Sequence, residues 1–246
     1  MKVKYFTSLT IIFLLSFLLS QDRIGEWSSY TCPLDIRDLI VDDYAIYCAT
    51  GGGILKYSNN NFEIYTTTDG LIGVDISKIA FDNNNNIWVG GKSPNGFIQI
   101  LNKNIQNINY FDLSLTEITH FWFNDSSSYV SFIDGQDVGL IEFNYLNDNW
   151  RYIDIYKNFP IQINSINGIQ IIGNTIFIGT NLGMYKASIF NNLKDPNTWS
   201  LAFPDLAGQI NTMCETNIGF AFNINGDVYI VDANDLSTPL ILDLPY

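Results

Sequence analysis

The stretch "DISKIAFDNNNNIWVGG", from Asp75 to Gly91, places four consecutive asparagines between two short apolar segments rich in Ile, Phe, Trp and Val. Short segments with β-branched and aromatic residues, bounded by Asn, Asp and Gly, are typical of strands and not of helices. Asn tolerates the left-handed backbone of tight turns and hydrogen-bonds to its own main chain. The stretch therefore predicts a β-hairpin whose tip projects into water.

The opening segment "ISKIAFD" has counterparts along the whole chain. Similar segments open at Ile36, Ile76, Ile118, Ile166 and Ile210, so the spacings are 40, 42, 48 and 44 residues. A period in the forties is a signature of β-propellers and of helical repeats. Because the period is filled with strand-like segments, it favours a propeller.

Three further strand-like segments follow each opening segment across polar or glycine-bearing turns. In the fourth repeat they are "TIFIGT" at Thr175, "GMYKAS" at Gly183 and "TWSLAF" at Thr198. Four strands per period make one propeller blade. A blade is packed between two neighbours, so both faces of its inner strands are buried, and "IWVG" need not alternate with polar residues.

We therefore expect an all-β protein, a β-propeller with about five four-stranded blades. Ahead of the first repeat, Trp27 in "IGEWSSYTC" occupies the place of an outermost strand, which would complete a blade that the chain lacks. N-terminal outermost strands often close propeller rings in this way. We expect that the chain is a truncated ring of a larger propeller of about seven blades, or that a partner closes its ring.

The N-terminus has the anatomy of a secretory signal peptide. A positively charged start precedes an apolar run from about Leu9 to Leu19, which is followed by Ser20. The run is short for a bilayer span of about 20 residues, so cleavage is favoured over an uncleaved anchor. The expected organisation is a signal peptide over 1–20 and a partial propeller over 21–246, with no transmembrane span in the mature chain.

The composition narrows the function classes. With 246 residues, 47% of them apolar, the chain has ample material for a core, which excludes global disorder. Lys and Arg number 12 against 25 Asp and Glu, so the formal net charge is −13. An acidic surface repels phosphate backbones, so we expect no nucleic-acid partner and no attraction to anionic lipid.

Three cysteines are present: Cys32, Cys48 and Cys214. An odd number in an exported chain cannot form a complete disulfide framework. Cys48 and Cys214 lie in apolar, strand-like stretches, so we expect them to be small buried hydrophobic residues. A bridge between Cys32 and Cys48 in an oxidising compartment is the alternative.

Two segments carry a family resemblance. The run "TTTDGLIGVDISKIAFDNNNNIWVGG", Thr66 to Gly91, resembles the two-component-regulator propeller repeat, and "NTIFIGTNLGMYKA", Asn174 to Ala187, matches its later half. The segment "IGEWSSYTCPLDIRDLIVDDYAIYCATGGGILKYS", Ile24 to Ser58, more specifically resembles the N-terminal propeller of the PorZ family of the type IX secretion system. The pattern extends over 24–246 and is specific in the first two repeats.

The resemblance implies a non-enzymatic binding or scaffold module that helps to process secreted cargo or attach it to the surface. It implies location in the periplasm or at the cell surface of a Gram-negative-type bacterium. The implied partners are other secretion-system or cell-envelope proteins, with a surface polysaccharide or lipopolysaccharide as a suggested ligand and no cofactor. Full PorZ-like proteins carry a second propeller and a C-terminal sorting domain, from which this sequence departs by lacking both.

Two other functions stay open. The first is a periplasmic ligand-sensing propeller of a two-component hybrid regulator, which predicts a membrane span and a kinase after the missing blades. The second is a propeller polysaccharide lyase or hydrolase, which needs a cluster of His, Tyr, Arg or metal ligands at one mouth of the ring. His120 is the only histidine and is expected on an inner strand, while Arg23, Arg37 and Arg151 are expected outside the mouth. We therefore predict no catalytic residue.

The asparagine-rich hairpin superficially follows the spacing of a calcium loop. Asp82, Asn84 and Asn86 alternate, but Ser93 stands where the bidentate glutamate is required. We therefore predict a hairpin tip there and no metal site.

Ligand-binding loops of propellers gather at one mouth, which is built from the turns between second and third strands and from the links between blades. Carboxylate and amide groups there are compatible with sugars or cations. The predicted ligand-binding residues are Lys92, Asn95, Asp134, Gln136, Asn181, Asp205 and Gln209. A solvated rim without a ligand is the alternative interpretation.

Overall fold

The computed structural model describes residues 31–93 and 95–242, which form twenty strands in five antiparallel sheets. The expected signal peptide and the expected outermost strand at Trp27 lie outside the described residues. The described part of the chain contains no helix that is long and apolar enough to span a bilayer.

Each blade is a four-stranded sheet in which consecutive strands pair. The first blade contains β1 (Ile36–Val41), β2 (Ile46–Thr50), β3 (Gly53–Ser58) and β4 (Asn61–Tyr65). The second contains β5 (Asp75–Phe81), β6 (Ile87–Ser93), β7 (Gly96–Leu101) and β8 (Asn107–Leu115). The third contains β9 (Glu117–Phe123), β10 (Ser127–Asp134), β11 (Asp137–Leu146) and β12 (Asn149–Tyr156). The fourth contains β13 (Ile166–Ile172), β14 (Thr175–Thr180), β15 (Gly183–Ser188) and β16 (Ser200–Leu201). The fifth contains β17 (Ile210–Thr216), β18 (Gly219–Ile224), β19 (Asp227–Asp232) and β20 (Asp235–Ile241).

The first strand of each blade is the innermost one. β1 packs beside β5, β5 beside β9, β9 beside β13, and β13 beside β17, so the blades follow one another in chain order around a common centre. Within residues 31–93 and 95–242, β17 and β1 do not pack closely against each other. The prediction of an all-β propeller with five four-stranded blades is confirmed.

One apolar core lies at each interface between successive blades. The clusters are centred on Ile54 and Ile76 between blades 1 and 2, on Trp88 and Phe143 between blades 2 and 3, on Ile169 between blades 3 and 4, and on Phe222 between blades 4 and 5. Ile87, Trp88 and Val89 of β6 are all fully buried, so the prediction that both faces of this inner strand are covered is confirmed. Most hydrophobic stabilisation therefore comes from contacts between blades.

The outermost strand of blade 4 is shorter than the segment "TWSLAF" predicts, since only Ser200–Leu201 is extended. A single 3-10 turn, Pro196–Thr198, precedes it, and Asp195 caps that turn by accepting a hydrogen bond from the amide of Asn197. The indole N–H of Trp199 donates to the carbonyl oxygen of Leu193 at 3.1 Å. The turn takes up the first part of the predicted strand.

The tip of the asparagine-rich hairpin is organised by one buried carboxylate. Asp82 Oδ1 accepts hydrogen bonds from the amides of Asn84 and Asn86 at 2.9 and 2.8 Å. Its Oδ2 accepts from the side-chain amide of Asn86 and from the indole N–H groups of Trp88 and Trp150, at 3.0, 3.2 and 2.9 Å. Five N–H donors surround a group with about four lone-pair sites, which leaves no oxygen to bind a cation. The prediction of a hairpin tip is confirmed.

The three cysteines are free thiols, so the alternative bridge between Cys32 and Cys48 is not formed. Cys48 is buried as predicted, but the prediction for Cys214 is wrong, because its side chain is exposed. Cys214 pairs in register with Ala221 on the face of blade 5 that points away from blade 4. No further blade of the described chain covers that face.

Candidate functional site

The inner strands share an irregularity at one repeat position. In each of them the pairing with the second strand skips the residue that follows the opening isoleucine, which forms a β-bulge. The bulged residues are Arg37, Ser77, Thr119, Asn167 and Asn211. A bulge breaks the regular alternation of side chains along a strand, so these five side chains point in directions that the strand pattern alone would not give. All five lie at the end where the inner strands begin.

Three of the bulged side chains bind the next blade. Each donates a hydrogen bond to the carbonyl oxygen of the opening isoleucine of the following blade: Arg37 to Ile76 at 3.3 Å, Ser77 to Ile118 at 2.6 Å, and Asn167 to Ile210 at 2.7 Å. We call this contact the inter-blade bond. The side-chain amide of Asn211, on the last blade, instead donates to Asn223 of its own blade at 2.7 Å.

A cavity of about 550 Å³ lies where the inner strands begin, and we call it the front cavity. All five inner strands contribute to its wall. Its polar lining includes Asp38, Lys78, His120, Asn167, Asn211 and Thr212. The bulges therefore help to gather polar side chains from five separate repeats around one space.

The charges in the front cavity compensate each other. Lys78 Nζ lies 3.7 Å from Asp38 Oδ2, and the same oxygen accepts a hydrogen bond from the amide of Ile79 at 3.2 Å. The cavity wall shields His120 from water, which lowers the pKa of its imidazole to about 4. The charge of Lys78 lowers that pKa further, and the charge of Asp38 opposes this effect. The imidazole is neutral near pH 7, so the cavity is polar with little net charge.

These groups suit hydrogen bonding to a polar ligand. A neutral imidazole, carboxamides and a hydroxyl offer both donors and acceptors. The Thr119 hydroxyl is already shared with the hydroxyl of Ser131 at 2.8 Å. Among the described residues, no group of three His, Cys, Asp or Glu side chains is placed to hold a metal ion.

Two of the predicted mouth residues lie beside a common groove. Gln136 lines a groove of about 420 Å³ together with Lys157 and Phe159 from the link that follows β12. Asp134 forms an ion pair with Lys157 at 2.6 Å. The turn between β10 and β11 and the following link therefore meet at this mouth groove.

The other predicted mouth residues do not join them. Asn181 uses its side-chain oxygen to accept hydrogen bonds from the amides of Asn164 and Ser165, at 2.8 and 3.3 Å, and so fixes the link between blades 3 and 4. The remaining four line neither the front cavity nor the mouth groove. Lys92 lies on β6 and Asn95 in the turn that follows it, while Asp205 and Gln209 lie in the link between blades 4 and 5.

One prediction about the mouth is wrong. Arg37 was expected outside it, but its bulge places the guanidinium at the end where the inner strands begin, in an ion pair with Asp75 and 2.9 Å from Asp35. The hydrogen bond to Asp75 is the main cause that raises the pKa of Arg37, although burial lowers it. The guanidinium of Arg37 is thus paired with two carboxylates.

Sequence reasoning also missed Asn167 and Asn211 of the front cavity. A usable signal exists, since both residues directly follow an opening isoleucine, at the same position in consecutive repeats. Only the bulges, however, turn that shared position toward a common space.

No protein-family model and no curated protein match the sequence. Among solved structures, PorZ of Porphyromonas gingivalis, an essential bacterial surface component of the type IX secretion system, matches with 15% identity and a TM-score of 0.69. The match covers 88% of this chain and 29% of that one. The extracellular domain of the proposed hybrid two-component system BT4673 of B. thetaiotaomicron matches with 15% identity and a TM-score of 0.60, over 83% of this chain and 29% of that one.

A proposed 6-phosphogluconolactonase of Bacteroides fragilis matches with 11% identity and a TM-score of 0.60, over 89% of this chain and 72% of that one. In contrast, this chain spans only 29% of PorZ and 29% of the extracellular domain of BT4673, which is less than a third of each. Identities at this level show the fold and not the activity. The chain has the β-propeller fold that these proteins share.

Proposed function

We propose that this chain is a non-catalytic, exported propeller that acts as a binding or scaffold module of a PorZ-like secretion component, in cargo processing or surface attachment. The observation that carries the proposal is the front cavity, where five inner strands present polar groups with compensated charge. Such a concave, polar space suits recognition. The proposed partners are other secretion-system or cell-envelope proteins, with a surface polysaccharide or lipopolysaccharide as a ligand.

The front end of the molecule also supports the non-catalytic part of the proposal. With a pKa of about 4, the His120 imidazole is a weak general base at pH 7, and the guanidinium of Arg37 is bound by Asp35 and Asp75. Because one structural neighbour is a proposed 6-phosphogluconolactonase, hydrolysis of that lactone is the direct test. We expect purified protein to leave the spontaneous rate unchanged, and acceleration by the protein would overturn this part of the proposal.

The role in secretion is tested in the source bacterium. We expect deletion of the gene to reduce the amount of cargo at the cell surface, and the wild-type gene to restore it. A Thr212→Trp variant fills part of the front cavity with an indole and should fail to restore cargo while the variant protein itself accumulates normally. The matched control is Thr238→Trp, since Thr238 is exposed on β20, away from the cavity. Normal cargo after deletion would contradict the proposal.

The second candidate is ligand sensing, which the likeness to the extracellular domain of BT4673 favours. The two candidates predict different native gene products. A second propeller and a sorting domain after the blades support the secretion role, whereas a membrane span with a kinase supports sensing. The intact mass of the native protein, with sequencing of its gene, separates them.

A further inference from the structure

A cavity of about 250 Å³ lies beside the outer strands of blades 4 and 5, and we call it the outer cavity. Blade 4 contributes residues of β14, β15 and β16, and blade 5 contributes Leu236 of β20. The outer cavity shares no lining residue with the front cavity or with the mouth groove. It is therefore a separate space in the molecule.

The wall of the outer cavity carries a positive charge. Lys186 is its one charged residue, and among the described residues no Asp or Glu lines it. The chain has 25 Asp and Glu against 12 Lys and Arg, so an acidic wall would be the ordinary outcome. The other polar residues of the wall carry hydroxyl groups: Thr175, Ser188, Thr198 and Ser200.

The strand register places the lysine and three of these hydroxyl groups on one face of the sheet. Lys186 pairs with Phe177 on β14 and with Ser200 on β16, and Thr175 pairs with Ser188. Side chains that pair directly, or that lie two residues apart on a strand, share a face. Phe177 belongs to the apolar core between blades 4 and 5, so this face points toward blade 5 and the outer cavity.

Blade 1 shows the same lysine position with a counter-ion. Lys56 in "GILKYS" corresponds to Lys186 in "GMYKAS". Glu63 on the outermost strand pairs in register with Lys56, and its carboxylate lies 3.9 Å from the ammonium nitrogen. The outermost strand of blade 4 has Ser200 at that place. Lys186 thus lacks the carboxylate that the corresponding lysine has.

No other carboxylate of the described chain takes that place. Residues 31–93 and 95–242 contain seven lysines, and five of them form ion pairs with Asp or Glu. Within the same residues, Lys92 and Lys186 form none. Lys186 is half-buried beside the cavity, and a partly desolvated ammonium group is stabilised by an anion. The lysine therefore points to an anionic group in the outer cavity.

We propose that the outer cavity binds the carboxylate group of a small ligand, at the place that corresponds to the Glu63 carboxylate in blade 1. The ammonium group of Lys186 pairs with the ligand carboxylate in a charge-assisted hydrogen bond. One ammonium group matches one negative charge, whereas a phosphate dianion would stay partly uncompensated in an acidic protein. Binding here is independent of the secretion role and of the front cavity.

Hydroxyl groups supply further donors to the ligand. The Ser188 hydroxyl accepts a hydrogen bond from the amide of Phe190 at 3.4 Å, so its own proton is available to a carboxylate oxygen. The Thr198 hydroxyl is already engaged, since it donates to the carbonyl oxygen of Asn192 at 3.0 Å. The side chain of Leu236 offers contact for an apolar part of the ligand.

The first experiment is saturation-transfer NMR of the whole chain with two matched pairs of probes. Methyl glucuronide is compared with methyl glucoside, and N-acetylaspartate methylamide with N-acetylasparagine methylamide. We expect transfer to at least one acid, weaker transfer in added salt, and little to its neutral counterpart. The acid that responds distinguishes a sugar acid from an acidic peptide as the source of the carboxylate. Equal transfer within both pairs, or none, would overturn the proposal.

Competition tests the kind of anion. Acetate should displace the bound acid at lower concentration than inorganic phosphate does, because the proposed site holds a single positive charge. The opposite order would assign the outer cavity to phosphate groups and overturn the carboxylate proposal.

A lysine variant places the binding in the outer cavity. Lys186→Met keeps the apolar stem and removes the charge, so it should weaken affinity for the bound acid about tenfold. Lys92→Met is the matched control, because Lys92 also forms no ion pair with a described residue and lies on β6, away from the cavity. Wild-type affinity of the Lys186→Met protein would overturn the proposal.

A serine variant tests the counter-ion argument with the lysine in place. Ser200→Glu gives blade 4 the lysine and glutamate of blade 1, so the new carboxylate should compete with the ligand and weaken affinity about tenfold. Ser200→Gln adds similar volume without charge and should retain affinity within about threefold. Thermal unfolding of Ser200→Glu at or above the wild-type temperature excludes misfolding as the cause. Equal affinity of both serine variants would show that Lys186 does not anchor the ligand.

Discussion

The carboxylate of Asp82 links blade 2 to blade 3, because the indole N–H groups of Trp88 in blade 2 and Trp150 in blade 3 both donate to its Oδ2. Removing the carboxylate leaves buried N–H groups unpaired. We expect Asp82→Ala to lower the free energy of unfolding by about 3 kcal/mol. Urea unfolding followed by tryptophan fluorescence measures the change. Asp43→Ala is the control, since Asp43 is exposed, and it should have an effect below about 0.5 kcal/mol.

His120 should make stability depend on pH in a defined window. Its folded pKa of about 4 lies below the ordinary value of 6.5, because burial disfavours the charged imidazole. The unfolded chain therefore binds more protons between those values, and the free energy of unfolding falls as the pH is lowered through them. We expect a loss of about 2 kcal/mol between pH 6.5 and about pH 5. Urea unfolding at several pH values measures it.

His120→Gln is the control for this window, because glutamine does not titrate. His120 is the only histidine, and carboxylates with ordinary pKa values stay ionised above about pH 5. The variant should therefore have a nearly flat profile over the same range. An unchanged slope in the variant would mean that another group causes the pH dependence.

At the scale of the strands, the inter-blade bond offers an internally matched test. The side chain of Asn167 donates to the carbonyl oxygen of Ile210 in the next blade, whereas Asn211, at the same repeat position, donates only to Asn223 of its own blade. Asn167→Ala should therefore lower the free energy of unfolding by about 1.5 kcal/mol, and Asn211→Ala by less than about 0.5 kcal/mol. Urea unfolding of both variants checks this. Equal losses would show that the bond to Ile210 does not stabilise the blade interface.

The inner strands could be predicted more securely than the outermost ones. Burial on both faces gives β6 an unbroken apolar run that marks it in the sequence. The segment "TWSLAF" carries similar residues, but the indole of Trp199 is held by Leu193 and only two residues extend as β16. An outermost strand has one neighbour, so local turn formation competes with pairing there.

The candidate site was less predictable, because it depends on side-chain direction. The expected turns and links suggested Lys92 and Gln209 as ligand-binding residues, but Lys92 lies on β6, and neither residue lines the front cavity or the mouth groove. The sequence shows that Asn167 and Asn211 share one repeat position, but only the bulges bring both side chains to the front cavity.

At the scale of the whole molecule, the outward faces of blades 1 and 5 are apolar, and no strand within residues 31–93 and 95–242 covers them. On blade 1, Leu39 and Val41 point away from blade 2 and are exposed, as are Phe62 and Ile64 on the outermost strand of the same face. Leu240 is exposed on blade 5. A contiguous apolar surface of this kind drives association in water. We expect the isolated chain to self-associate as its concentration rises, which sedimentation velocity detects.

Two matched substitutions locate that association. Ile64 on β4 and Ile108 on β8 are similarly exposed, at 46% and 49%, but only Ile64 lies on the open face of blade 1. Ile64→Lys should weaken self-association about tenfold, because a charge replaces apolar contact area, and Ile108→Lys should leave it unchanged. Equal effects of both substitutions would assign the association to another surface.

The inter-blade bond has a consequence for how such chains change over generations. Its acceptor is a main-chain carbonyl, which every sequence provides, and its donor is Arg, Ser or Asn in different blades. A hydrogen bond with so few requirements can form to neighbours of different sequence, although Thr119 keeps the bulge and bonds to Ser131 instead. Unequal recombination that adds or deletes a whole repeat would therefore leave an acceptor for this bond at the new interface, and the apolar core there would be what the new pair of blades has to match.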